Sequence, residues 1–294
     1  MTQNGPLGGQ PRQLGLIGNP VGHSVSPAMH NAAFAHQKMN CHYAAYAVTP
    51  EMLPAAVEGM RALGFLGMNV TIPHKQAVIP LLDEVAPRAR QVGAVNTIVN
   101  RGGRLFGYNT DGLGFLGSLE EAGVKLSGLQ VVVLGAGGAA RAIAQHLALS
   151  RVARVVISNR TANRAAELAA EIQALCPDVP VAGVGAHSLE ERIALIDAGL
   201  VVNCTPLGMQ GAHAGASPVG DINLLPQQAV VYDTVYAPAE TRLLKDARLR
   251  GLRTVGGLGM LVHQGACAWE YWFGRRGPVS VMAGAARAAL EVEA

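Results

Sequence analysis

The chain has 294 residues, half of them hydrophobic and 15 % charged, with a formal net charge of +3. This suits a compact globular chain with room for two domains and argues against disorder. The charge is spread without a basic or acidic block, so no nucleic-acid partner is expected.

In chain order the sequence alternates strand-like and helix-like segments, the pattern of an α/β fold with a mostly parallel sheet. Leu14 to Gly18 reads as a strand that stops at Gly18-Asn19-Pro20, and Pro27 opens a helix to about Lys38 with Ser26 as N-cap. A strand at Tyr43 to Val48 and a helix at Pro54 to Leu63 repeat the unit, and Phe65 to Thr71 is a third strand, ended by Pro73. Val95 to Asn109 predicts a hairpin turning at Arg101-Gly102-Gly103-Arg104. A helix then runs from Asp111 to about Ala122, with Gly123 as its stop, and a domain boundary is expected in or near it. A second cycle follows: strands at Gln130 to Leu134, Val152 to Ser158, Leu200 to Asn203, Val230 to Asp233 and Thr254-Val255, with helices at Gly137 to Leu149, Thr161 to Leu175 and Glu240 to Arg250. The tail from Gly257 is helical in character.

No apolar stretch approaches the roughly 18–20 residues of a membrane span. Residues 1–13 lack the charged start and apolar run of a secretory leader, so no membrane partner and a cytoplasmic location are expected. Cys41, Cys176, Cys204 and Cys267 are widely separated, which predicts free thiols rather than disulfides or a structural zinc.

Val131-Val132-Val133-Leu134-Gly135-Ala136-Gly137-Gly138-Ala139-Ala140 is a strand running into Gly-x-Gly-x-x-Ala and a helix. Gly135 permits the tight turn, Gly137 lets a pyrophosphate approach the backbone, and the helix start offers N–H groups to anions. The next strand ends in Ser158-Asn159-Arg160-Thr161, without the carboxylate that accepts from a ribose 2′-hydroxyl in NAD sites. Arg160, joined by Arg164, offers charge to a 2′-phosphate, so NADP is the expected cofactor.

On the substrate side, Ser24 and Ser26 stand at the mouth of a helix, a plausible carboxylate cradle, although each alone fits a cap or turn residue. Asn69-Val70-Thr71-Ile72-Pro73-His74-Lys75 places polar groups where a buried strand becomes a loop, and Lys75 is the one of four lysines that follows an apolar strand and a proline. Asn96 lies on the hairpin, and Asp111 at its end reads equally as a helix cap.

Taken together these segments resemble the shikimate/quinate dehydrogenase family, from Leu14 to about Gly274. The motifs that carry the likeness include Gly18-Asn19-Pro20, Ser24-Val25-Ser26-Pro27, Asn69 to Lys75, Gly93-Ala94-Val95-Asn96-Thr97 and Asn109-Thr110-Asp111-Gly112. They continue through the glycine loop, Asn159-Arg160-Thr161, Asn203 to Met209, Asp233-Thr234-Val235-Tyr236 and Met260 to Gly265. The resemblance implies NADP-linked interconversion of shikimate and 3-dehydroshikimate, in aromatic amino acid biosynthesis. It implies a discontinuous substrate domain, 1–112 with 257–294, and a Rossmann domain, 113–256.

In that family the residues matching Lys75 and Asp111 are the catalytic pair, and those matching Ser24 and Ser26 hold the carboxylate. Those matching Asn69, Thr71, Asn96, Tyr236 and Gln264 line the ring and its hydroxyls. The cofactor side takes Gly135, Ala136, Gly137, Gly138, Ala139, Asn159, Arg160, Thr161, Arg164, Thr205 and Gly257. An ordinary lysine is too basic to take a proton efficiently near neutrality; burial and a carboxylate neighbour act on such a group in opposite senses. Trp269 stands where that family's pattern has Phe, expected to be a packing change with little functional weight. His74 and His263 are expected to orient neighbours or face solvent, and hydride chemistry requires no metal.

Three other readings remain. Quinate or an amino-substituted shikimate is an alternative substrate, and a methylene-tetrahydrofolate dehydrogenase would share only the Rossmann part. A regulator would bind shikimate and nucleotide without turnover. The oligomeric state is not readable, and a homodimer is admitted.

Overall fold

The computed structural model describes residues 10–293. They form two compact units, one taking the chain up to Gly114 and again from Val262, the other Phe115–Leu261.

The first unit holds β1 (Arg12–Gly18), α1 (Ser26–His36), β2 (Cys41–Ala47), α2 (Leu53–Ala62), β3 (Gly67–Val70), β4 (Glu84–Val85), α3 (Pro87–Val92), β5 (Thr97–Arg101) and β6 (Arg104–Tyr108). Its sheet has the order β2-β1-β3-β5-β6-β4. β1 pairs in parallel with β2 and β3, while β3–β5 and β5–β6 are antiparallel, so this sheet is mixed. The hairpin forms as the sequence predicts: Gly102 and Gly103 both take positive φ, which suits a two-residue turn. Its register places Thr97 opposite Tyr108. The short β4 and α3 are elements that the sequence reading leaves unassigned.

α4 (Asp111–Glu121) leads into the second unit, which holds β7 (Gln130–Leu134), α5 (Gly138–Leu149), β8 (Arg154–Asn159), α6 (Ala162–Leu175), β9 (Val181–Gly185), α7 (Leu189–Ile196), β10 (Leu200–Asn203), β11 (Val230–Asp233), α8 (Arg242–Leu249) and β12 (Arg253–Val255). The order β12-β11-β10-β7-β8-β9 is fully parallel and reverses at β7, the doubly wound Rossmann arrangement. Strands buried on both faces read as continuous apolar runs. Val131 and Val133 enter the layer with Ile143 and Leu168, whereas Val132 and Leu134 enter the layer with Leu195 and Leu243. β9 and α7 carry no readable period in the sequence, because Val181-Ala182-Gly183-Val184-Gly185 is glycine-broken and α7 is short.

The chain returns to the first unit within α9 (Leu258–Phe273) and ends in α10 (Val279–Glu293), which packs on α1. Two indoles anchor α9: Trp272 Nε1 donates to Ile98 O at 2.9 Å and Trp269 Nε1 donates to His30 Nδ1 at 2.9 Å. The second bond is one that Phe cannot make, so Trp269 does more than fill space. A side chain at Gly67 would collide with the Trp272 indole, which requires glycine there.

His30 is fully buried, stacked on Tyr43 at 4.3 Å between ring centroids. Because Nδ1 accepts from Trp269, the ring proton sits on Nε2. Burial pushes the His30 pKa down to about 3 from an ordinary 6.5. The unfolded chain therefore binds a proton that the folded chain refuses, and stability falls as pH drops from about 6.5 towards 3. At about pH 5 this amounts to a loss of roughly 2 kcal/mol. In urea melts, His30→Gln is expected to lose less stability than the parent between about pH 7 and pH 5, by about that amount. Equal losses would contradict the assignment.

Candidate active site

The Lys75 loop is stitched to the ends of β1 and β2. Thr71 N donates to Ile17 O and Asn19 N to Ile72 O, both at 2.9 Å. The buried His74 ring places Nε2 2.7 Å from Val48 O, and Val95 N donates to Lys75 O at 2.7 Å. His74 thus holds the loop to the end of β2. Lys75 Nζ then reaches Asp111 Oδ2 at 2.7 Å, with the lysine side chain 19 % and the aspartate side chain 6 % exposed.

Asn96 organises the other side of this pair. Its Oδ1 accepts from Thr110 N at 2.8 Å, and a backbone N–H can only donate, which fixes the amide's orientation. Nδ2 therefore faces Asp111 Oδ1 at 2.8 Å and Gln264 Oε1 at 3.3 Å. Asn109 Oδ1 accepts from Asp111 N at 3.0 Å, so Asp111 is held at both backbone and carboxylate. Asn69 joins through Nδ2, which donates to Asn96 O at 3.1 Å and Thr97 Oγ1 at 3.2 Å. The structure therefore brings Asn69, Lys75, Asn96, Asp111 and Gln264 into one bonded group.

The serine pair and Thr71 make no hydrogen bond to that group among the described residues. Ser26 is not an N-cap: it is the first residue of α1, its side chain makes no cap bond, and Val25 occupies the cap position. The cap geometry fails because the chain already turns helical at Ser26. Instead Ser24 Oγ accepts from Ser26 N at 3.3 Å, leaving Ser24 half-exposed and Ser26 buried at the start of a helix opened by Pro27. Tyr236 is half-buried in the second unit, after β11. Tyr43, Thr97 and Thr110, which the sequence reading does not single out as site residues, also bond into that group. The available signal was Thr97 beside Asn96 at the start of an apolar strand, two adjacent polar side chains that burial obliges to find partners.

In the second unit, Gly135 takes φ +112°, and a Cβ there would stand 3.1 Å from Cys204 O. Gly135 N donates to Ser158 O at 2.7 Å, which joins the glycine turn to the end of β8. Open space faces the Cα of Gly137, and no side chain caps the start of α5, where Gly138 and Ala139 lie. That is the cradle a pyrophosphate needs. At the end of β8, Asn159 Nδ2 donates to Thr161 O at 3.0 Å, and beyond it Arg160 and Arg164 are exposed. Neither arginine has an ion-pair partner among the described residues.

Thr205 sits in a tight turn, donating its backbone N–H and hydroxyl to Asn203 Oδ1 at 2.9 and 2.7 Å. Gly257 presses on the backbone of Thr234, where a side chain would collide. The buried Asp233 accepts from Asn203, Val235 N and Thr241, and burial raises its carboxyl pKa despite those bonds. All four cysteines are free, and among the described residues no cluster suits a metal ion.

A Rossmann sheet with an open glycine turn in one unit, and a lysine–aspartate pair in the other, define a nicotinamide-dependent oxidoreductase. Residues 16–98 match the shikimate dehydrogenase substrate binding domain, 118–201 the shikimate/quinate 5-dehydrogenase model and 257–287 the shikimate 5′-dehydrogenase C-terminal domain. The chain is 63 % identical over 283 residues to the NADP(+) shikimate dehydrogenase of Symbiobacterium thermophilum, covering 96 % of each. It is similar in structure to the Thermus thermophilus shikimate 5-dehydrogenase solved with NADP(H) and shikimate (TM-score 0.85, 39 % identity, 95 % and 99 % of the chains). It is also similar to the Corynebacterium glutamicum quinate dehydrogenase solved with NAD (TM-score 0.84, 37 % identity, 95 % and 99 %). The chain belongs to the shikimate dehydrogenase family.

Asn96→Ala is expected to strand the Thr110 N–H and one oxygen of Asp111, lowering stability by about 2–4 kcal/mol in urea melts. A loss below about 0.5 kcal/mol would show that the network does not depend on this amide.

Proposed function

We propose that the chain catalyses the reversible, NADP-dependent oxidation of the shikimate 3-hydroxyl to 3-dehydroshikimate, in aromatic biosynthesis. The observation that carries the reading is Lys75 Nζ held 2.7 Å from an Asp111 carboxylate that Asn96 fixes from the other side. Lys75 exchanges the proton of the reacting hydroxyl at Nζ, and Asp111 orients Nζ and accepts from a neighbouring hydroxyl. Ser24 and Ser26 take the carboxylate of the substrate at the mouth of α1. Asn69, Thr71, Asn96, Tyr236 and Gln264 select its ring hydroxyls. Bound NADP+ supplies the hydride acceptor.

The glycine turn with Gly135, Ala136, Gly137, Gly138 and Ala139 receives the pyrophosphate, and Thr205 and Gly257 complete the cofactor side. Asn159, Arg160, Thr161 and Arg164 take the 2′-phosphate. The lack of a carboxylate at the end of β8, with two unpaired guanidinium groups following, supports NADP over NAD. Residues 1–112 with 257–294 serve the substrate and 113–256 the nucleotide. Among the described residues no helix is long and apolar enough to cross a membrane, and four free thiols support work in the cytoplasm.

A second reading, quinate as substrate, rests on the quinate dehydrogenase lying at nearly the same similarity as the shikimate enzyme.

Lys75→Ala is expected to lower kcat with shikimate and NADP+ by roughly 10²–10⁴ while NADP+ binding changes little. Near-parental turnover in that variant would remove Lys75 from the chemistry.

A further inference from the structure

Tyr43 is a fully buried side chain whose hydroxyl has no part in the proposed reaction. Its Oη donates to Asn69 Oδ1 at 2.8 Å. Burial pushes the phenol pKa well above its ordinary value, so the hydroxyl keeps its proton. The Asn69 amide cannot be reversed, because the Asn96 carbonyl that its Nδ2 meets at 3.1 Å can only accept. The same Nδ2 donates to Thr97 Oγ1 at 3.2 Å, and Thr97 Oγ1 donates to Asn96 Oδ1 at 3.1 Å. Asn96 is oriented independently by the Thr110 N–H and passes its own N–H to Asp111 Oδ1 at 2.8 Å. Every donor in the series points the same way, from Tyr43 through Asn69, Thr97 and Asn96 to the carboxylate. Bonds aligned in this manner polarise one another in a low-dielectric interior. The far oxygen of that carboxylate holds Lys75 Nζ.

We propose that Tyr43 and Thr97 are positioning residues for the reaction, the head and the middle of a one-way hydrogen-bond chain that fixes the Asp111 carboxylate opposite Lys75. This rests on the roles given to Lys75 and Asp111 above. The head of the chain is itself immobilised, since His30 stacks on the Tyr43 ring and is bonded to Trp269 of α9, the helix that carries Gln264. Thr97 has a longer contact to Thr110 Oγ1 at 3.5 Å, which leaves Asn96 Oδ1 as its nearer acceptor.

Tyr43→Phe keeps the ring and its stack and removes only the donor; Thr97→Val keeps the side-chain shape and breaks the chain further along. With shikimate and NADP+, each is expected to lower kcat about three- to tenfold and to leave the KM for NADP+ within about twofold. The double variant should be no slower than Thr97→Val alone, because a chain broken once is already broken. A purely structural role would lower the melting temperature and leave kcat of the folded protein unchanged. Parental kcat in Thr97→Val, or losses that multiply in the double variant, overturns the proposal. Should Tyr43→Phe fail to fold, kcat and the NADP+ KM of Thr97→Val decide alone. A parent chain without turnover defeats the reaction assignment and this proposal with it, an outcome distinct from variants that match an active parent.

Discussion

The amide of Asn96 is the constraint on which the substrate-side site depends. It is 2 % exposed, and its two ends must meet Thr110 N, Thr97 Oγ1, Asp111 Oδ1 and Gln264 Oε1. Leaving any buried partner unmet costs about 1–3 kcal/mol, so the start of β5, the end of the hairpin, α4 and α9 have to arrive in register. The hairpin supplies that register through Asn96 N, which donates to Tyr108 O at 3.0 Å. α9 is fixed by two indole N–H bonds rather than by apolar packing alone. Rigidity of this kind is what the proton-transfer role proposed for Lys75 and Asp111 requires, because misplacement by about an ångström is costly in rate.

The nucleotide side obeys a different constraint, the close approach of backbone to backbone at the reversal of strand order. Gly135 lies against Cys204 O while its N–H reaches Ser158 O, so the glycine turn, the end of β8 and the end of β10 share one joint. Ser158 Oγ in turn donates to the buried Glu191 at 2.6 Å. Glu191 also accepts from His187 N, and its own N–H is capped by Ser188 Oγ at the start of α7. The loop that carries Arg160 therefore leaves from a buttressed strand end, and the exposed guanidinium groups of Arg160 and of Arg164 in α6 need not be drawn away from internal partners.

Much of this was legible in the sequence. The parallel sheet announced itself in unbroken runs such as Val131 to Leu134, the hairpin in two glycines between apolar runs, and the nucleotide turn in its glycine spacing. Lys75 and Asp111 stood out as candidates, although composition and spacing alone gave them bland readings and the resemblance to a family gave them roles. What escaped was of two kinds. β9 and α7 lack a readable period, since glycine interrupts one and the other is barely two turns with Leu189, Ile193 and Ile196 exposed. Tyr43 was read only as a strand residue, because a tyrosine in an apolar strand carries no mark of which buried acceptor it will meet across the sheet. Ser26 was misread for a related reason: cap and first-turn serines look alike until the backbone angle of Val25 is known.

The most direct test is the initial rate of reduced-cofactor formation with shikimate or quinate, each offered with NADP+ and with NAD+. Turnover that is fast with shikimate and NADP+ and slow with the other pairs is the predicted result. A faster rate with quinate or with NAD+ would contradict the assigned specificity, and no rate with any pair would contradict catalysis by Lys75 and Asp111.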